Sequence, residues 1–177
     1  MKSEQPLLAV NNLTHLWAPG KGFEHVSFEL FPGEVLGIVG ESGAGKTSLL
    51  QAISTRLKPQ QGSILYQGNE LYGLSESERR HLLRSEWSLA HQHPRLVFID
   101  EPIDGLDMSV QSRLIELVRE LDLAVVIASD DLAVVRLLAH RLLVMKQGRV
   151  VESGLTDRVL DDPHHPYTQL WVSSVLS

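Results

Sequence analysis

The eight residues Gly40-Glu41-Ser42-Gly43-Ala44-Gly45-Lys46-Thr47 leave this chain few architectures. They match the pattern G-x-x-x-x-G-K-[ST] at every fixed position and follow directly on the apolar run Val35 to Val39. Such a loop requires a strand before it and a helix after it. Its glycines let consecutive backbone N–H groups converge on phosphate oxygens, its lysine reaches the β/γ oxygens, and its last hydroxyl meets Mg²⁺. Here the lysine is Lys46 and the hydroxyl belongs to Thr47. A helix starting near Gly45 and running through Ser48-Leu49-Leu50-Gln51-Ala52-Ile53 adds its positive end to the same point. The phosphate-binding candidates are therefore Gly40, Ser42, Gly43, Ala44, Gly45, Lys46, Thr47 and Ser48.

Length and composition bound the rest. A chain of 177 residues with 43% hydrophobic content can bury one full core, so a single α/β domain is expected over 1–177. The formal charge of −6 gives no electrostatic footprint for nucleic acid, and the short cluster Arg79, Arg80, Arg84 is taken as a solvated helix face. With no cysteine, disulfides and thiolate metal sites are excluded. The first residues, Met1-Lys2-Ser3-Glu4-Gln5-Pro6, lack the apolar core of a signal peptide, and no apolar run approaches membrane-spanning length. The expectation is a cytoplasmic protein that meets a membrane only through a partner.

Up to Gly40 the pattern is that of strands: Leu7 to Val10, Leu13 to Trp17, Val26 to Phe31 and the buried run Val35 to Val39. A helix is expected to about Leu57, then a strand from Gly62 to Asn69 bounded by turns. Ser75-Glu76-Ser77-Glu78 is a capping box opening a helix to about Ser85. A short strand from Trp87 to Ala90 precedes the apolar run Leu96-Val97-Phe98-Ile99. The second half alternates: helix Ser109 to Leu121, strand Leu123 to Ala128, helix Asp131 to His140, strand Leu142 to Met145, then a turn at Gln147-Gly148 and the stretch Arg149 to Glu152. The runs Leu96 to Ile99 and Leu123 to Ala128 lack alternation and belong inside a parallel sheet covered on both faces. The tail from Asp161 through His164-His165-Pro166-Tyr167 ends in an amphipathic stretch.

The run Leu96 to Ile99 delivers Asp100 and Glu101 to its C-terminal end, where ligands bind in open α/β sheets. Asp100 is placed to hold the Mg²⁺ shell, and Glu101 to polarise an attacking water as general base. Gly105-Leu106-Asp107 follows closely.

With the phosphate loop, this acidic strand and Gly105-Leu106-Asp107 in place, the chain resembles the ATP-binding cassette family along almost its whole length. Leu13 to Phe23, Leu142 to Gly148 and the tail from Asp161 to Val175 look like the ATP-binding subunit of bacterial carbon–phosphorus lyase systems. That subunit is in turn similar to the oligopeptide-transporter ATPases, which share the His-Pro-Tyr tail. The resemblance implies a nucleotide-binding core with a mostly parallel sheet and an N-terminal antiparallel β-lobe. It implies ATP and Mg²⁺ as cofactors, other subunits of a phosphonate-utilisation or transport complex as partners, and a second cassette. Trp17 would stack on adenine, Gly43 to Thr47 would hold phosphates and Mg²⁺, and Gln92 would be the catalytic and metal-contacting glutamine between the lobes. Asp100, Glu101 and Asp107 would be the metal aspartate, the catalytic carboxylate and the dimer-contact aspartate.

Three departures matter. The family inserts a helical subdomain with a Ser-Gly-Gly signature between the glutamine and the acidic strand, whereas only His93-Pro94-Arg95 separate Gln92 from Leu96 and no such signature occurs in the chain. The family histidine expected in Ala128-Ser129-Asp130-Asp131-Leu132 is Asp130. Ile103 replaces the usual threonine after Glu101-Pro102. His93-Pro94 fits the scar of an in-frame deletion that removed most of the helical subdomain. Such a chain supplies only one face of the family's ATP sandwich, so binding is expected to survive and hydrolysis by a homodimer to be impaired. Two other readings are a non-hydrolysing assembly subunit and a small phosphoryl-transfer kinase. A zinc site at His91, His93, His164 and His165 is set aside for want of cysteine, and Trp87 is taken as a core aromatic.

Overall fold

A computed structural model describes residues 5–87, 94–101, 108–120 and 123–176. The N-terminal half opens with β1 (Leu8–Ala18), β2 (Lys21–Leu30) and β3 (Val35–Val39), and the phosphate loop then leads into α1 (Lys46–Ile53). Next come β4 (Gln61–Tyr66), β5 (Asn69–Glu70), a 3₁₀ turn at Leu71–Gly73 and α2 (Glu76–Ser85). The second half runs β6 (Leu96–Asp100), α3 (Met108–Glu120), β7 (Ala124–Ser129), α4 (Leu132–Leu138), β8 (Arg141–Lys146), β9 (Arg149–Leu155), α5 (Thr156–Asp161) and α6 (Pro166–Leu176).

Two sheets result. The antiparallel one has the order β2-β1-β4-β5, and the other has the order β6-β7-β3-β8-β9, parallel except for β9, which returns antiparallel on β8. In β3 the side chains alternate between two cores. Leu36 and Ile38 pack with Leu8, Phe23, Leu30, Leu49 and Ile53 between the antiparallel sheet and α1, while Val35 and Val39 pack with Val118, Leu132, Val135, Leu160 and Trp171 on the helical side. This burial on both faces explains the continuous apolar run of a central parallel strand. Strand β7 is buried at all six positions and lies between β6 and β3 as expected. Strand β6, by contrast, ends the sheet, and Phe98 and Ile99 are only half-buried.

Several boundaries differ from the sequence pattern for identifiable reasons. The two apolar segments before Trp17 form one strand with an irregularity between Asn11 and Thr14, where Asn12 takes φ 47°. The expected strand over 62–69 is a hairpin, because Gln67 (φ 50°) and Gly68 (φ 81°) both turn left-handed between β4 and β5. Helix α1 stops at Ile53 rather than near Leu57: Thr55 takes φ 67°, and the Tyr72 hydroxyl lies 3.0 Å from the Ala52 carbonyl and 2.7 Å from that of Leu57. The capping box on α2 forms as expected, with Ser75 and Glu78 exchanging both bonds. Arg80 and Arg84 are exposed on α2, but Arg79 is half-buried, donates to the Leu74 carbonyl and sits 5.3 Å from the centre of the Tyr72 ring. Trp87 is a core aromatic, edge-on to Tyr66 at 5.2 Å and to Phe98 at 5.3 Å.

Candidate nucleotide site

Strand β3 lies between β7 and β8, so its C-terminal end delivers the loop 40–45 to the middle of the sheet edge. The glycines there are required by space as well as by turn geometry. A Cβ on Gly40 (φ 148°) would lie 2.2 Å from the Met145 carbonyl oxygen, and one on Gly45 (φ 99°) would lie 2.4 Å from that of Gly22. Inside the loop the Ala44 N–H donates to the Glu41 carbonyl at 3.1 Å, and from outside the Gly148 N–H donates to the Ala44 carbonyl at 2.9 Å. Gly22, near the start of β2, and Gly148, in the β8–β9 turn, thus pack against the loop, a long-range contact that no local pattern marks.

Helix α1 begins at Lys46 with no side-chain cap and no acidic residue in its first turn, leaving its N-terminal end suited to an anion. Lys46 is 5% exposed, and its ammonium donates to the carbonyls of Gly40 (2.7 Å) and Glu41 (3.0 Å). Burial pushes its pKa down, while Glu101, Asp130, Asp100 and Glu41 act in the opposite direction. These carboxylates therefore converge on the loop. The strand register explains it: Val39 lies level with Ser129, and Ala128 with Asp100, so the ends of β3, β6 and β7 share one edge.

A cleft of about 490 Å³ opens over the loop and brings together Trp17, Ser42, Gly43, Gly45, Lys46, Thr47, Ser48 and Glu101. Trp17, 54% exposed at the end of β1, forms one wall, with His15 edge-on to it at 5.7 Å. Gly20, in the β1–β2 turn, and Lys21, at the start of β2, also line the cleft. Glu101 also lines the cleft, in a left-handed conformation (φ 46°), its N–H donating to the Ala128 carbonyl at 2.8 Å. A non-glycine residue held there stores strain of about 1 kcal/mol or more, a pattern common at functional sites. Ala44 is buried beneath the cleft. Asp100 is exposed and lines not this cleft but a different cavity, of about 410 Å³, with Gln51, Arg56 and Trp87. Gln92, His91, His93, Ile103 and Asp107 lie outside the described residues. Asp130 is exposed directly after β7, and Asp131 caps α4 by accepting from the N–H groups of Ala133 and Val134. His164 and His165 meet Glu152 through their backbone N–H groups.

The donor set fits a polyphosphate: a helix N-terminus, glycine-rich backbone and a buried ammonium bonded to two loop carbonyls that an anion can replace. Thr47 and Asp100 offer oxygen ligands of the kind a hard divalent cation takes.

Comparison with known proteins places this arrangement. Residues 23–131 match the ABC transporter family. The phosphonates utilization ATP-binding protein PhnK of Escherichia coli (strain K12) is 51% identical over 248 positions, covering 97% of this chain and 98% of that protein. The chain has 177 residues, so at least 71 of those 248 positions have no counterpart in it, and they fall within the matched stretch. The oligopeptide transport ATP-binding protein OppF of the same strain is 27% identical, covering 90% of this chain and 71% of its own length. Among solved structures, an ATP-binding subunit of an ABC transporter superimposes with TM-score 0.72 at 22% identity, covering 97% of this chain and 100% of that one. A dimeric post-hydrolysis state of the ATP-binding cassette MJ0796 bound to ADP and Pi gives TM-score 0.73 at 16% identity, covering 84% and 98%. With its phosphate loop, its acidic strand and a reduced helical region, the chain belongs to the ABC transporter family as an ATP-binding cassette.

Proposed function

We propose that this chain is a single truncated cassette, 1–177, that binds ATP with Mg²⁺ as a subunit of a phosphonate-utilisation complex of the carbon–phosphorus lyase type, and that it hydrolyses ATP poorly alone. The observation that carries the proposal is the single cleft that gathers Lys46 and the loop at the α1 N-terminus with Trp17 and Glu101. The likeness to a phosphonates utilization protein supports the choice of complex. A cytoplasmic site of action, with membrane contact only through a partner, fits the finding that no described helix is long and apolar enough to cross a membrane.

Each residue has a definite task in this reading. Trp17 stacks on adenine, the loop from Gly40 to Ser48 wraps the phosphates, and Lys46 exchanges its two carbonyl partners for β/γ oxygens. Thr47 and Asp100, with Gln92 as a further ligand, would hold Mg²⁺, which would neutralise charge at the phosphates. Glu101 orients and deprotonates the attacking water, and Gln92 assists there.

The weakness lies in what faces the phosphates. The Ser-Gly-Gly signature is absent from the sequence, and the positions missing relative to the E. coli protein are best accommodated between Gln92 and Leu96. Removing one preorganised donor from a developing charge typically costs about a hundredfold to a thousandfold in rate. Asp130 adds a carboxylate near Lys46 and the phosphates. A signature from a second cassette is then needed for turnover. Isothermal titration tests the binding half: Lys46→Ala should weaken Mg²⁺-ATP tenfold or more, about 1.4 kcal/mol, and equal affinities for the two proteins would overturn the proposal.

A further inference from the structure

The His-Pro-Tyr tail has no task in the account so far, yet its tyrosine touches the phosphate loop. The backbone N–H of Glu41 donates to the Tyr167 hydroxyl at 3.1 Å across a sequence separation of 126 residues. We propose that Tyr167 is a positioning residue for the nucleotide site: its hydroxyl, presented by α6, holds the Glu41 peptide and through it the loop geometry that Lys46 and the α1 N-terminus offer to a polyphosphate. This rests on the reading of the cleft as an ATP site.

Glu41 is the pivot of the loop. Its carbonyl accepts from the Lys46 ammonium at 3.0 Å and from the Ala44 N–H at 3.1 Å, while its own N–H is taken by the tail. The Glu41 N–H shares its planar peptide unit with the Gly40 carbonyl, the other acceptor of the Lys46 ammonium at 2.7 Å, so the Tyr167 bond sets one Lys46 partner directly and the Glu41 carbonyl through the intervening Cα. The opposite flank of the same segment is held by the close approach of Gly40 to the Met145 carbonyl at the end of β8.

Tyr167 is itself rigidly placed. It is 9% exposed, stacks on Trp171 with ring centres 6.5 Å apart and planes 6° from parallel, and carries the Lys146 ammonium 4.8 Å from its ring centre. The turn before it is anchored by Glu152, which accepts from the N–H groups of His164 (2.8 Å) and His165 (3.0 Å), and the Tyr167 N–H donates to His165 Nδ1 at 3.1 Å. Burial raises the pKa of the phenol, so at neutral pH the group facing Glu41 is a hydroxyl. The ring provides packing that phenylalanine would reproduce. Only the hydroxyl reaches the loop, and this separates a positioning role from a structural one.

The test compares wild type with Tyr167→Phe, using Leu170→Ala, on the exposed side of α6, as a control. Calorimetric titration with Mg²⁺-ATP and with inorganic triphosphate is paired with hydrogen exchange of the Glu41 amide in the nucleotide-free protein. Tyr167→Phe should weaken both ligands by a similar factor, about fivefold for one lost hydrogen bond, with a melting temperature lowered by only about 2–4 °C and faster exchange at Glu41. The Leu170→Ala control should behave as wild type. Unchanged affinity for both ligands, or a loss accompanied by general unfolding with no selective change at Glu41, overturns the proposal. If wild type binds neither ligand, the ATP reading itself fails. The Glu41 exchange then still decides whether the hydroxyl governs the loop.

Discussion

Burial pushes the Lys46 ammonium below the ordinary lysine value of 10.5, while the carboxylates of Glu101, Asp130, Asp100 and Glu41 oppose that shift. The sign of the resulting pH dependence follows. Phosphates favour the protonated amine, so ATP affinity is complete below the lowered pKa and falls as pH rises through it, earlier than an ordinary lysine would allow. Lys46→Arg keeps its charge and should flatten the alkaline limb, which titrations across the alkaline range will show. Trp17 offers a second test at this scale, because more than half of its surface is open above the loop. Stacking adenine on the indole should contribute about 1 kcal/mol. Trp17→Ala should therefore weaken ATP and leave inorganic triphosphate unchanged, whereas equal loss for both ligands in a fluorescence or calorimetric titration would make the residue structural. The positions of Lys46 and Glu101 at the cleft were legible in local patterns, a loop with fixed spacing and an acidic strand end, whereas Trp17 was singled out only through the family resemblance. The Tyr167 contact was not legible, because it joins residues 126 positions apart and depends on a hydroxyl no local pattern marks.

Among the elements, the most legible were those whose apolar period matched their burial. β3 and β7 appear as unbroken apolar runs because both of their faces are covered, and α2 begins at its capping box. Backbone conformations that residue type does not reveal were missed. Asn12 bends β1, Gln67 turns the β4–β5 hairpin, and α5 is only six residues long, with Leu155 as a cap whose side chain makes no bond. The docking of α6 offers a prediction here. Burial pushes the Glu152 carboxyl up, but the His164 N–H, the Thr168 hydroxyl and the His165 N–H together outweigh it and hold its pKa below the ordinary glutamate value. A carboxyl depressed in the folded state adds stability above its unfolded pKa and loses it as pH falls through the folded value. Glu152→Gln should remove that acid dependence, and Glu152→Ala should destabilise by about 1 kcal/mol, since water can replace the carboxylate at the N–H groups of His164 and His165. Melting curves from neutral to acid pH check both. An unchanged acid limb in Glu152→Gln would show that the tail is held by packing alone.

At the scale of the whole molecule, the antiparallel sheet, the central sheet and the outer helices form a layered body with the cleft at the edge where β3, β6 and β7 end. In the function proposed here, that body is the ATP-facing half of a cassette. The positions it lacks relative to the E. coli relative, at least 71 of 248, correspond in this account to the helical region that would face the nucleotide of a second cassette. Restoring that face from a partner should restore part of the rate. Asp130 would still hold it below that of an intact pair, so Asp130→His should raise turnover in the mixture and change little in the isolated chain. The most direct measurement is ATP binding and phosphate release by the purified chain, alone and mixed with a full-length cassette whose own Glu-to-Gln variant cannot hydrolyse ATP. The account predicts Lys46-dependent binding by the isolated chain with negligible phosphate release, and Glu101-dependent release in the mixture. Rapid release by the isolated monomer, abolished by Glu101→Gln, would contradict it.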